Sequence, residues 1–277
     1  IYLKNPVGAL NRNKWIEGSS AKDTPLSMNL FATRGCPYKC IYCYHDFMGQ
    51  RYRHRSPDNV IAEIKCLYTH YNIKYFHFTD DEFVIKKKFV YEFCQKIKDL
   101  QKELSEKITW GCGGRANLMT EELIVAMAKA GCVLIGYGIE SGSQKMLNRM
   151  KKKVIVEQAK QTVRLTQKYL GWADCSFMIG TPGETKETIQ ETIDFCKELN
   201  LIPEVIFFAT PYPGTELYRI AIQQGKIKNE EAYVMGLGEQ GEKINVNFTD
   251  FSNNELEKIK EDMVIELRAW NKIKHER

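Results

Sequence analysis

The sequence predicts an α/β protein built as a partial (β/α)6 barrel of the TIM type, on three observations. Short apolar runs alternate with amphipathic helical stretches along most of the chain, the pattern of repeated β-α units around a parallel sheet. Six such units can be counted, two short of a closed eightfold barrel. The chain has 277 residues and is 43% hydrophobic, enough for one large core.

The first strand is expected over LSMNLFATR, 26–34, and after a cysteine-bearing loop a helix starts at Ser56, with Pro57 in its first turn. YFHFTD at 75–80 reads as the second strand, followed by a helix over 87–103. ITWGCGGRAN, 108–117, is the third strand, and Gly131 is placed to end the helix after it. CVLIGYGIES, 132–141, is the fourth, followed by a helix carrying Ala159, Val163, Thr166 and Leu170 on one face. ADCSFMIG at 173–180 is the fifth strand, with a helix showing Ile189, Ile193, Cys196 and Leu199, and EVIFFAT at 204–210 is the sixth. A last helix follows an irregular stretch at 225–250. The expected division is a lead-in over 1–25, the barrel over 26–224 and a C-terminal extension with a terminal helix over 225–277.

The net charge of +5 comes from 40 basic and 35 acidic residues, too even a balance to argue for nucleic acid. The basic runs RYRHR at 51–55 and MKKK at 150–153 are expected to be solvated loops or helix starts. No apolar run approaches the roughly 20 residues that span a bilayer, and no charged-then-apolar signal segment opens the chain. A soluble, cytosolic (cytoplasmic) protein without a membrane partner is expected. The first residue is Ile rather than Met, so the chain is expected to be a fragment or a processed product.

RGCPYKCIYCYH holds Cys36, Cys40 and Cys43 in the spacing CxxxCxxC. Thiolates select zinc, copper(I) or iron-sulfur clusters, and an all-protein iron-sulfur cage takes four cysteines. Three therefore leave one iron open to a ligand that is not protein. The residues alone also suit a zinc site with His45 as fourth ligand. The other six cysteines, Cys66, Cys94, Cys112, Cys132, Cys175 and Cys196, lack paired spacing and read as small buried hydrophobes.

With an aromatic, Tyr42, before the last cysteine, this loop resembles the signature of the radical S-adenosylmethionine (SAM) superfamily. The resemblance extends over about 26–220 through FTDDEF, GIES, MIGTPGET and ATPYPGTELY. It implies a [4Fe-4S] cluster held by Cys36, Cys40 and Cys43, whose fourth iron is chelated by SAM. Reductive cleavage then gives methionine and a 5′-deoxyadenosyl radical that abstracts hydrogen from a small-molecule or peptide substrate. By resemblance Tyr42 packs by the adenine, Thr79 and Asp80 accept from the SAM ammonium, and Glu140 accepts from the ribose hydroxyls, as a carboxylate can from two vicinal donors. Ser141 is a candidate for the methionine part. Met178 and Ile179 are candidates for apolar adenine contacts, while Gly180, Pro182 and Gly183 shape the following turn.

Arg115, between glycines and Asn117, is placed where a cation can reach an anionic ligand; Asp80 and Asp81 can bind a divalent ion or cap the next helix. Lys160 and Arg164, on the fourth helix, are both candidates for the SAM carboxylate. The FxDDxF and ATPYPGTELY forms resemble a branch whose members often carry a cobalamin-binding domain. That implies cobalamin as a further cofactor and methyl transfer as the leading activity. No such domain is visible in this sequence, so cobalamin would come from further sequence or a partner chain, and the electron from a reductant such as flavodoxin or ferredoxin. The alternative from another class is a noncatalytic iron-sulfur electron carrier or sensor.

Overall fold

A computed structural model describes residues 27–44, 51–203, 205–238 and 241–275. The lead-in expected over 1–25 and His45 lie outside the described residues. The elements run in chain order as β1 (Ser27–Leu30), β2 (Thr33–Arg34), β3 (Arg53–His54), α1 (Pro57–Tyr71), β4 (Tyr75–Phe78), α2 (Lys87–Leu104), β5 (Thr109–Gly114), a 3-10 turn (Ala116–Leu118), α3 (Glu121–Lys129), β6 (Cys132–Glu140), α4 (Gln144–Arg149) and α5 (Val156–Leu170). They continue with β7 (Asp174–Ile179), α6 (Lys186–Glu198), β8 (Ile206–Phe208), α7 (Glu216–Gln223), α8 (Glu230–Met235) and α9 (Asn253–His275).

Six strands form one parallel sheet in the order β1-β4-β5-β6-β7-β8. It curls into an open half-barrel, as the count of six units predicts. Local chemistry sets the helix ends. Ser56 caps α1 by accepting from the Asn59 N–H with Pro57 behind it, and Asn72 ends the helix in the left-handed region. Thr185 and Thr188 form a reciprocal capping box on α6. Gly131, at φ 92°, follows α3 as expected.

The strands sort their side chains by parity. Phe76, Phe78, Trp110, Cys112, Ile135, Tyr137, Ile139, Cys175, Phe177 and Ile179 are buried in the main core under the helices. Of the other parity, His77, Gly113, Gly136, Gly138, Ser176 and Met178 are only partly buried. A second, smaller core under the cysteine loop joins Ile41 to Leu217, Tyr218 and Ala221 of α7 and to Val246 and Phe248. The segment after 225 thus enters both cores, since Leu256, Met263 and Leu267 of α9 belong to the main one.

Three sequence expectations need correction. The first strand stops at Leu30, and Thr33–Arg34 leave the sheet to pair antiparallel with Arg53–His54. The basic run at 51–55 is therefore partly a strand, and Arg55 is tied to Glu63 at 2.5 Å and to the Phe31 carbonyl at 2.9 Å. Cys66 is exposed, unlike the five other non-loop cysteines, which are buried. Among the described residues no helix is long and apolar enough to cross a membrane.

Candidate active site at the mouth of the half-barrel

The cysteine loop is pinned from several sides before any ligand is considered. The Ile41 N–H donates to Met150 O at 3.1 Å, and Leu217 N–H donates to Ile41 O at 2.8 Å. Gly35, at φ 84°, donates its N–H to Asp81 Oδ2 at 2.7 Å. Asp80 Oδ1 accepts the N–H groups of Ala32 and Thr33. The paired acids therefore tie the segment leading into the loop to the end of β4. They do not cap α2, whose Lys86 cap position lacks a side-chain bond. Asp80 Oδ2 is buried with no partner among the described residues, and burial raises this carboxyl to about 6 despite the bonds to its other oxygen.

Cys36 and Cys40 are buried and Cys43 is exposed. Burial pushes the Cys36 thiol up, and the neighbouring Cys40 and Glu82 add to the effect. The donor set fits a thiolate-bound iron cluster: three cysteines come from one anchored loop, and a buried guanidinium lies beside Cys40. Arg115 Nη1 donates to Cys40 Sγ at 3.7 Å, and the guanidinium sits 3.7 Å over the Tyr38 ring centroid.

Glu140 ends β6 at φ 69°, a left-handed conformation, next to a register shift at Gly138/Glu140. Strained backbone of this kind persists where surrounding contacts fix it. Here they are the Lys152 ammonium, 2.8 Å from Glu140 Oε1, and the Tyr42 hydroxyl, which donates to the same oxygen at 2.9 Å. Lys152 also donates to the Tyr42 hydroxyl oxygen, Oη, at 3.1 Å. Burial, and then the Glu140 charge, push the Tyr42 hydroxyl far up, so it remains a proton donor. All three contacts use Oε1 or the tyrosine oxygen, and Oε2 takes no part in them.

Lys152 is the functional residue that the sequence does not single out, since MKKK reads as a solvated run. Its side chain is 9% exposed. Lys151 and Lys153 flank it at φ 53° each, and this backbone turns the middle lysine inward while Lys151 meets Glu216 at the surface.

A cavity of about 430 Å³ opens beside this knot, lined by Tyr42, Cys43, Tyr44, Glu140, Ser176, Met178, Phe207, Tyr212 and Gly241 among others. Its size is that of a small-molecule site. Gly241 closes it from the C-terminal segment: its carbonyl accepts the Phe208 N–H at 2.8 Å, and at φ 64° a Cβ there would lie 2.7 Å from the Phe207 ring.

Several candidates stand elsewhere. Ile179 has the parity of the main core and is 1% exposed there, so its side chain faces the helices while that of Met178 faces the cavity. Ser141 is fully buried; its hydroxyl pairs with Thr192 at 3.1 Å and accepts the Ser143 N–H, joining β6 to α6. The Thr79 hydroxyl donates to Leu30 O at 3.4 Å, within the sheet edge. Lys160 pairs with Glu157 and Glu198, and Arg164 with Glu198, on the outer surface of α5 and α6. Neither joins the Glu140 cluster; Lys152 is the lysine that does. Glu184, another buried acid, accepts the Gly180 and Thr181 N–H groups and holds the MIGTPGET turn.

Three cysteines on one loop and a charged cavity at the mouth of an open half-barrel are the parts that a cluster-binding enzyme of the partial-barrel class requires. The model of the Radical SAM superfamily matches residues 30–196, and the chain belongs to that family, whose cofactors are a [4Fe-4S] cluster and SAM. The chain is 36% identical over 194 residues to a protein of Pyrococcus horikoshii named as an uncharacterized methyltransferase, covering 70% of this chain and 41% of that protein. It is 30% identical over 190 residues to the anaerobic magnesium-protoporphyrin IX monomethyl ester cyclase of Rubrivivax gelatinosus, 67% of this chain and 33% of that one. The chain thus spans well under half the length of these relatives.

Among solved structures, the radical SAM methyltransferase TsrM of Kitasatospora setae, with cobalamin and a [4Fe-4S] cluster bound, matches with a TM-score of 0.63 at 21% identity over 71% of this chain and 36% of that one. The cobalamin-dependent SAM radical enzyme OxsB, with aqua-cobalamin and SAM bound, matches at 0.63 and 20% identity, over 86% and 40%. At these identities the likeness establishes the shared half-barrel fold.

Proposed function

We propose that the chain is the SAM-cleaving unit of a cobalamin-associated radical SAM enzyme, with methyl transfer as its reaction. The observation that carries this reading is the Tyr42–Glu140–Lys152 knot on the wall of the cavity that Cys43 lines. A bound cluster supplies the electron that cleaves the sulfonium bond of SAM to methionine and a 5′-deoxyadenosyl radical. The chain's own residues then do the holding and excluding. Cys36, Cys40 and Cys43 hold the cluster, Glu140 accepts the ribose hydroxyls, and Lys152 offers the cation a carboxylate requires. Met178 and Phe207 supply apolar wall, and Gly241 closes the mouth.

Methyl transfer is supported by likeness to the uncharacterized methyltransferase of Pyrococcus horikoshii and to the cytidylyl-2-hydroxyethylphosphonate methyltransferase of Streptomyces wedmorensis, the latter 29% identical over 222 residues. In this reading residues 26–224 form the catalytic unit, 225–277 complete its mouth, and cobalamin is carried outside these residues. A low-potential one-electron donor of the flavodoxin or ferredoxin kind reduces the cluster in an intracellular, reducing compartment, which suits free thiols.

Anaerobically reconstituted protein given SAM and dithionite is expected to form 5′-deoxyadenosine, and a cluster-loaded protein that forms none overturns the assignment. Supplied with cobalamin on its binding domain or partner chain, the protein is expected to form S-adenosylhomocysteine. Its absence, with 5′-deoxyadenosine still formed, would favour a non-methylating reaction such as that of the cyclase relative.

A further inference from the structure

Arg115 follows β5 and is 6% exposed. Its Nη1 is committed to Cys40 Sγ, yet Nε and Nη2 are buried with no partner among the described residues. A guanidinium carries five N–H donors and no acceptor, and leaving buried donors unmet is costly, more so on a charged group. The Tyr38 ring covers one face of the guanidinium, and the backbone of Arg115 is held near the buried Glu82. The arginine is thus fixed from its backbone outward, while its charged end is undersatisfied next to a cysteine that ligates iron. Its unmet donors call for an anionic acceptor at Cys40.

We infer that Arg115 is a positioning residue for the cluster: by donating to the Cys40 sulfur it offsets the negative charge gained on one-electron reduction and holds the reduction potential upward. The inference rests on the cluster reading above. Hydrogen bonds to cluster sulfur and nearby charge are established determinants of such potentials. The oxidised cluster takes one electron from a low-potential one-electron donor, and a fixed positive charge favours the reduced, more negative side of that couple. Lysine in its place would keep the charge and lose the fork.

The test is a dye-mediated potentiometric titration of the cluster-loaded protein without SAM, followed by electron paramagnetic resonance, on wild type, Arg115→Met and Arg115→Lys. The methionine variant is expected to lower the reduction equilibrium constant about tenfold, which is 59 mV for a one-electron couple, with part of the shift recovered in the lysine variant. A methionine variant with full cluster content and an unchanged potential overturns the inference. So does loss of the cluster from both variants while circular dichroism stays native, since Arg115 would then serve assembly. A wild-type protein that forms no [4Fe-4S] signal fails the cluster reading itself, which separates the two.

Discussion

The two faces of the same strands, β4 to β7, are built to opposite specifications. On the outer face Phe78 and Trp110 are fully buried and pack edge-on with each other and with Phe93, ring centroids 5.1–5.9 Å apart. On the inner face His77, Gly113, Gly136, Gly138 and Ser176 stand at alternate positions, small or polar and incompletely buried. One parity holds the fold together and the other leaves room for chemistry. A strand residue's role therefore follows from its parity before its identity, and a one-residue misreading exchanges a ligand contact for a core contact.

The largest expected effect is on the outer face. Trp110→Ala removes a fully buried ring whose Nε1 donates to Ala130 O, and urea unfolding is expected to show a loss of about 3–5 kcal/mol. The folded, cluster-loaded fraction should bind SAM as the wild type does; weakened binding in that fraction would break the separation of faces.

Gly138→Ala tests the inner face. A Cβ there would lie 2.5 Å from Glu140 Oε1 and 3.1 Å from Lys152 Nζ, so the charged pair must shift. SAM affinity by equilibrium dialysis is expected to fall about tenfold, ~1.4 kcal/mol, with a stability loss smaller than that of Trp110→Ala. Undiminished affinity would remove the knot from SAM binding. Ile179→Val sharpens the parity argument: about 0.5–1.5 kcal/mol of stability is expected to go with SAM affinity unchanged, whereas Met178→Ala, one residue away, should weaken SAM. The reverse pattern would place Ile179 at the cavity after all. The smallest effect belongs to Lys160→Ala, where loss of a surface pair to Glu198 is expected to cost under about 1 kcal/mol and to leave SAM binding intact.

Much of this arrangement was legible in the residues. Six β-α units follow from periodicity and helix caps, and the thiol spacing and GIES mark the places where the loop and Glu140 now stand. What was not legible depends on partners far along the chain or on backbone conformation. Lys160 and Arg164 are drawn outward by Glu198, 34 residues beyond Arg164, and no local pattern announces that pairing. Ile179 and Met178 are both apolar at the end of one strand, so only the sheet reveals which faces the cavity. The closing of the mouth by Gly241 and the pairing of Thr33–Arg34 with Arg53–His54 are likewise long-range. Among three successive lysines nothing distinguishes the middle one until two left-handed neighbours turn it inward.

Those two neighbours make the loop a counting device. With Lys151 and Lys153 both at φ 53°, the identity of the outer residues is free so long as they tolerate the left-handed region, and asparagine or glycine there would relieve backbone cost. The number of residues is not free. Inserting or deleting one between Met150 and Val154 would rotate a different side chain toward Glu140, so the spacing of this short stretch is under tighter constraint than its composition.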